Sequence, residues 1–467
     1  MSTTVTEKGA RRSVRRRKPD YIPPSRYTVR GAAAEGDLLT RASFLILGLG
    51  NIARQQIAKG LILLAIEVLY IYYMVKAGAQ HVGMLPSLGS KVPEATQNAD
   101  GYWSYTPGDN SVSLLVQGAT GLFVTVLFIV FWTYAVRSAY KAQLLVQETG
   151  KAPSFADDLN DLINGRVQLT MMALPVLGIL TFTVLPTLIM MAIAFTSYDS
   201  SHVVLFDWVG FRNFGQLFSA TGTVNASQFI SVLIWTLVWA FFSTFLNFFL
   251  GLFLAMIINR KTIRYKGLWR SIFSLSMAVP QFVSLLVINQ MLQPEGALNR
   301  LLMDWGWTSG PLPFFTDPMW ARATVIIVNL WIGIPFTILQ ITGIVQNVPE
   351  EQYEAARLDG ATWWDTFTKI TMPYLIFVLT PYLITTFSGN VNNFNVIYLL
   401  SQGNPTDVGD TAGKTDLLIT WLYKLTVDRG DYNLGAVIGI FTFITLAVVS
   451  LITYRSSASY KDEGGFR

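Results

Sequence analysis

VPEEQYEAARLDGATWWDTFTKITMP, residues 348–373, decides how the chain is organised. This polar stretch lies between two apolar runs, 323–345 and 374–398, each long enough to cross a bilayer, which takes about 20 mainly apolar residues. Pro349 suits the first position of a helix, and Glu350 and Glu351 follow in the first turn, where acidic groups favour the helix dipole. The spacing predicts a helix running to Asp359 and stopped by Gly360. A second short helix leads from Thr362 toward Pro373 and the membrane. Two helices around a glycine corner carry too little apolar area to fold alone, so something must cover them.

Working outward, eight segments qualify as spans: 60–76, 112–136, 168–196, 229–258, 271–292, 323–345, 374–398 and 433–454. The first contains Glu67, and the fifth is interrupted by Pro280, which neighbouring helices can accommodate. Composition agrees. Of 467 residues, 52% are hydrophobic and 13% charged, against roughly 25% charged in soluble domains. That excludes a string of soluble domains and intrinsic disorder. With no Cys there is no disulfide framework, thiolate metal site or cysteine nucleophile. Two histidines, His81 and His202, speak against a His-based metal site or Ser-His catalysis. The expected fold class is all-α, a polytopic membrane protein of about eight transmembrane helices.

Of the 34 Lys and Arg residues, 26 lie in segments 1–59, 137–166, 259–270, 346–373 and 455–467. The positive-inside rule makes these segments, both termini included, cytoplasmic. The net charge of +5 therefore reflects topology, and no nucleic-acid partner is expected. Four regions follow: a basic tail (1–40), two extra spans with a connector (41–166), a six-span core (167–454) and a C-terminal tail (455–467). No hydrophobic run occurs in the first 40 residues, so no cleavable signal peptide is expected. The cluster Arg11, Arg12, Arg15, Arg16, Arg17 and Lys18 reads as a solvated tail, with attraction to anionic lipid as the second reading. Residues 41–59 suit an interfacial helix better than a ninth crossing.

The second to eighth spans contain no Asp, Glu, Lys, Arg or His. Proton-coupled transporters carry such groups within the membrane, and membrane enzymes need an acid–base pair or a metal. Neutral polar groups are concentrated instead. Asn390, Asn392, Asn393 and Asn395 follow Thr385, Thr386 and Ser388, while the sixth span carries Asn329, Trp331, Gly333 and Pro335. Amides and hydroxyls beside aromatics suit an uncharged, hydroxyl-rich ligand. They equally suit bridges between helices, and the residues alone do not separate the two readings. The stretch GDTAGKT (409–415) is no phosphate loop, since three residues rather than four part Gly409 from Gly413.

The pattern Glu354-Ala355-Ala356, three residues, Gly360, nine residues, Ile370-Thr371-Met372-Pro373 resembles the EAA signature of membrane subunits in bacterial ABC importers. Met372 replaces the usual Leu. From about 167 to 454 the chain also resembles the larger permease subunit of maltose/maltodextrin and related oligosaccharide importers. WVGFRNF (208–214), FFTDPMWAR (314–322), IVNLWIGIP (327–335), SGNVNNFNVIYLL (388–400) and TDLLITWLYKL (415–425) carry that likeness. The family's large extracytoplasmic domain between the third and fourth spans is reduced here to 198–228.

The resemblance implies an ABC type I importer permease fold. Glu354, Ala355, Ala356, Gly360, Ile370 and Pro373 would form a coupling loop seated in a separate ATP-binding subunit. A charge pair desolvated in such an interface couples two rigid bodies strongly. Sugar contacts would fall at Asn329, Ile332, Gly333, Phe336, Thr386, Gly389, Asn390, Asn393 and Asn395. The implied partners are a second homologous permease, an ATPase dimer that holds ATP and Mg, an extracytoplasmic sugar-binding protein, an oligosaccharide and membrane lipid. This chain is expected to have no cofactor or catalytic residue of its own. The rivals are an ABC permease for another solute, a secondary transporter and a membrane enzyme. The first is nearest in kind; the secondary transporter leaves 348–373 unexplained, and the enzyme would need a carboxylate constellation at the membrane face that the sequence does not offer.

Overall fold

The computed structural model describes residues 22–456, except 98–99, 220, 221, 223 and 261. The basic cluster at 11–18 lies outside these residues. The chain divides into two compact units, the first ending at Ile189 and the second starting at Met190. Among the described residues, seven continuous helical stretches are long and apolar enough to cross a membrane.

In the first unit, α1 (Ile57–Met84) and α2 (Ser111–Thr149) pack as an antiparallel pair. They are joined through a small hairpin, β1 (Glu94–Gln97) with β2 (Trp103–Thr106). Glycines allow the approach: a Cβ on Gly118 would lie 2.4 Å from Leu85 Cγ, and one on Gly121 2.7 Å from Val82. Tyr70 stacks on Phe128 at 3.8 Å between ring centres. Residues 41–59 form no crossing. They break into short helices, Leu38–Ala42 and Leu49–Ile52, folded onto α1 and α2 through Gly48, whose φ of +82° brings it against Gly60. Glu67 has its reason here. Its carboxylate is buried and accepts the Leu47 backbone N–H at 2.8 Å.

The next apolar helix, α3 (Val167–Ile193), buries none of its apolar window. In the second unit follow α4 (Ala226–Asn259), α5 (Lys266–Ala278), α6 (Gln281–Met291) and α7 (Pro318–Val345). Segment 271–292 is thus two helices parted at Val279–Pro280, because proline offers no N–H and disfavours helix in the residue before it. The polar loop helix α8 (Glu350–Leu358) precedes α9 (Met372–Val391) and α10 (Phe394–Leu400), and α11 (Tyr432–Ser456) ends the described chain. Asp317 caps α7 by accepting the Met319 and Trp320 N–H groups, as its place before Pro318 favours. Two clusters of buried apolar residues lie in this second unit. One gathers Trp235, Trp239, Leu285, Val325, Ile397 and Leu417; the other gathers Phe248, Leu252, Ile338, Ile341, Leu375 and Leu379.

Residues 401–417 form an ordered loop, and GDTAGKT within it is turn and coil. At its end the Asp416 carboxylate is 0% exposed and accepts from Lys424 Nζ (2.6 Å), Gly413 N (2.7 Å) and Thr420 Oγ1 (2.8 Å). Burial pushes its pKa up, against the opposing pull of Lys424 and these donors. Trp235 Nε1 donates to Thr415 O, and Arg322 lies over the Trp235 ring while donating to Lys414 O. The loop is thereby tied to α4 and α7. Asp416→Ala would leave Lys424 without its partner, a change that costs about 3 kcal/mol in a buried pair. Lys414 pairs with the more exposed Asp407 and Asp410, so Lys414→Ala costs about 1 kcal/mol or less. Thermal melts of the detergent-purified variants check this: a clear drop is expected for the first and a small one for the second.

Candidate functional site

α4 and α7 meet through two reciprocal glycines. A Cβ on Gly251 of α4 would lie 2.6 Å from Thr337 Cγ2, and a Cβ on Gly333 of α7 would lie 2.6 Å from Asn247 Nδ2. Beside this crossing is a cavity of about 250 Å³. From α4 it is lined by Ser243, Thr244, Asn247 and Phe248; from α7 by Asn329, Ile332, Gly333, Phe336 and Thr337. Tyr382, Leu383, Thr386 and Asn390 of α9 and Gln281 of α6 complete the wall. No lining side chain carries a charge.

The polar groups are held from behind. Asn390 Nδ2 donates to Thr244 Oγ1 at 2.9 Å, and its carbonyl accepts Trp239 Nε1 at 3.0 Å. Asn247 Nδ2 donates to Ser243 O at 2.8 Å, leaving Asn247 Oδ1 and Ser243 Oγ buried without a partner among the described residues. Buried polar atoms in that condition cost roughly 1–3 kcal/mol each. Aromatic and amide surfaces converge on one uncharged space.

Of the nine residues expected at a ligand, six line this cavity: Asn329, Ile332, Gly333, Phe336, Thr386 and Asn390. Gly389, Asn393 and Asn395 do not. α9 ends at Val391, and the chain restarts as α10 with the Asn393 side chain capping it by accepting Val396 N–H at 3.2 Å. That break carries Asn395 to an exposed position, and a Cβ on Gly389 would meet nothing within 4 Å. The asparagine run therefore divides: Asn390 both bridges helices and faces the cavity, while Asn393 serves the backbone. Ser243, Thr244, Asn247, Gln281, Thr337 and Tyr382 were not singled out by sequence reasoning. Ser243 and Asn247, four residues apart in an apolar run, are a readable signal, since that spacing shares one helix face.

The loop helix forms as expected, one residue later at its start. Pro349 stands just outside α8, and Gly360 turns the corner at φ +75°. Ala361 N closes the helix end on Ala356 O at 2.9 Å. Thr362 and Asp365 form a reciprocal cap on the next turn, and Trp363 stacks on Phe367 at 5.4 Å. Arg260, just past α4, lies 5.7 Å from the Trp363 ring. Tyr353 Oη reaches Thr371 Oγ1 at 3.1 Å and tethers α8 to the base of α9. Glu354 is exposed and makes no ion pair among the described residues. Ala355 and Pro373 are exposed, Ala356 and Ile370 half-buried. Leu358, Trp363 and Trp364 add an exposed apolar face.

A family model described as "Binding-protein-dependent transport system inner membrane component" matches residues 247–459. The chain is 32% identical over 434 residues to the maltodextrin transport system permease protein MdxF of Bacillus subtilis (strain 168), spanning 90% of this chain and 95% of that one. It is 34% identical over 426 residues to the galactooligosaccharides transport system permease protein GanP of the same organism, spanning 90% and 97%. A crystal structure of a bacterial ABC transporter involved in the import of the acidic polysaccharide alginate shares the fold, with TM-score 0.52 and 23% identity over 64% of this chain and 96% of that one. The fold is that of an ABC importer permease. The chain belongs to the family of membrane components of binding-protein-dependent transport systems.

Gly333 supplies a test of the α4–α7 crossing. In an open helix Gly→Ala stabilises by about 0.5–1 kcal/mol, and that is the expectation for Gly343, where a Cβ meets nothing within 4 Å. Gly333→Ala should have the opposite sign, because the new methyl displaces the buried Asn247 amide. Melting temperatures of the two variants, rising for one and falling for the other, decide it.

Proposed function

We propose that the chain is the permease subunit of an ATP-driven importer for a neutral oligosaccharide, with a maltodextrin-type sugar first and a galactooligosaccharide second. One observation carries this reading: the cavity between α4, α7 and α9 has amides, hydroxyls and aromatic rings and no charge. Such a wall matches sugar hydroxyls and ring faces. An acidic sugar would need a cation there. The two relatives above, one named for each neutral sugar class, favour the same pair of substrates.

Coupling is assigned to Glu354, Ala355, Ala356, Gly360, Ile370 and Pro373. An exposed, unpaired acid on a small-residue helix, with a bare Leu358/Trp363/Trp364 face beside it, is what a partner's basic cleft would cover. Closure of an ATPase dimer, which would bind ATP and Mg, moves α8; through the Tyr353–Thr371 tether and the base of α9 it shifts the cavity between inward and outward access. α3, apolar and unburied, suits a second permease as its neighbour. An extracytoplasmic binding protein delivers the sugar, and both termini lie in the cytoplasm.

Uptake of labelled maltodextrins and galactooligosaccharides into proteoliposomes tests this, with the chain, its partner permease, the ATPase and the binding protein reconstituted together. Glu354→Lys should abolish ATP-dependent uptake in a complex that still assembles. Asn329→Ala should raise KM for the sugar by about 3–10-fold, the worth of one neutral hydrogen bond. Uptake by this chain alone, or unaffected by Glu354→Lys, would overturn the importer reading. The preferred sugar decides between the two substrate classes.

A further inference from the structure

The first unit contains a second cavity, of about 690 Å³ and different chemistry, which the transport reading does not use. It lies where α1 and α2 leave their apolar stretches, at the end that the positive-inside bias assigns to the cytoplasm. Lys59, Arg137, Lys141 and Arg166 line it, with Asp158 and Asp161. Both acids are already engaged: Asp158 pairs with Lys59 at 3.1 Å and Asp161 with Arg166 at 3.0 Å. Arg137 and Lys141 are not. Arg137 Nε donates to Tyr27 O at 3.1 Å, and among the described residues no carboxylate pairs with either cation. Both stand over the same Tyr27 ring, at 5.5 and 5.6 Å from its centre.

Two like charges four residues apart on one helix repel each other. A ring face attracts each of them but neutralises neither. The site therefore holds surplus positive charge aimed into a pocket. The rest of the wall is mainly apolar, with Thr133 and Ser138 its neutral polar members: Leu63 is buried and Phe131 half-buried, while Ile62, Val130, Tyr134 and Leu162 are exposed. A cationic floor that opens onto apolar helix faces at a membrane boundary matches one chemistry, a phosphodiester head group with acyl chains. A zwitterionic lipid would bring a further cation to a site already in excess. The chain's own residues 1–21, with seven Lys/Arg against two Asp/Glu, have the wrong sign to fill it.

We propose that this pocket holds the head group of one anionic glycerophospholipid, its phosphate between Arg137 and Lys141 and its chains along Ile62 and Val130. The lipid clamps α1 to α2 at their charged ends. Arg137 provides a planar fork for two phosphate oxygens and Lys141 a mobile point charge.

The test is retention of labelled phosphatidylglycerol by the delipidated full-length protein in detergent, against phosphatidylcholine and with inorganic phosphate as competitor. Phosphatidylglycerol should be retained about tenfold better than phosphatidylcholine, and Arg137→Gln/Lys141→Gln should remove about that factor, the worth of one charge-assisted contact. Arg137→Lys/Lys141→Arg should retain most of it, and Lys151→Gln, outside the pocket, all of it. Equal retention of the two lipids by the unaltered protein would overturn the proposal whatever the variants do. Displacement by inorganic phosphate would overturn it too, identifying a soluble-anion site, and retention undiminished by the double neutral substitution would place the lipid elsewhere.

Discussion

Two glycines, Gly251 on α4 and Gly333 on α7, allow these helices to meet with Thr337 and Asn247 pressed against the opposite helix. In a membrane, apolar side chains gain nothing from leaving lipid for protein, so association rests on close packing and on hydrogen bonds between helices. The α4–α7 crossing uses both. It sets Asn247 and Ser243 at the cavity wall, and it lets α9 close the other side through Asn390 to Thr244 and Trp239 to the Asn390 carbonyl. The cavity is what remains where α4, α6, α7 and α9 meet. Its polarity follows from the need to satisfy polar groups that the surrounding lipid cannot.

The same constraint explains two buried ionisable groups. Glu67, in an apolar helix, accepts a backbone N–H that the break at Gly48 leaves without a helical partner. Asp416, fully buried beyond the membrane-crossing helices, is held by Lys424, Thr420 and the Gly413 N–H. Both are structural. By contrast, among the described residues Glu354 on α8 makes no ion pair, and no carboxylate is in ion-pair contact with Arg137 or Lys141, Asp158 and Asp161 being paired with Lys59 and Arg166. Charges settled inside the fold build it; charges left open face something else. That division separates the coupling helix and the proposed lipid pocket from the scaffold.

The sequence alone determined that the chain is a polytopic helical membrane protein, because hydrocarbon admits only long apolar helices and such runs are written linearly. It also determined the glycine corner at Gly360 and the helix before it, which depend on local dihedral and capping preferences. Tertiary structure decided the rest. It divided the asparagine run at Asn392, which a one-dimensional reading of 374–398 as a continuous span could not reveal. It brought Ser243, Asn247 and Gln281 to the same cavity as Asn329 and Thr386 from four separate helices. It placed Arg137 and Lys141 over one tyrosine more than a hundred residues earlier in the chain. Periodicity records which face of a helix is apolar. Which face meets which depends on close contacts between distant residues, and these exist only once the helices have packed.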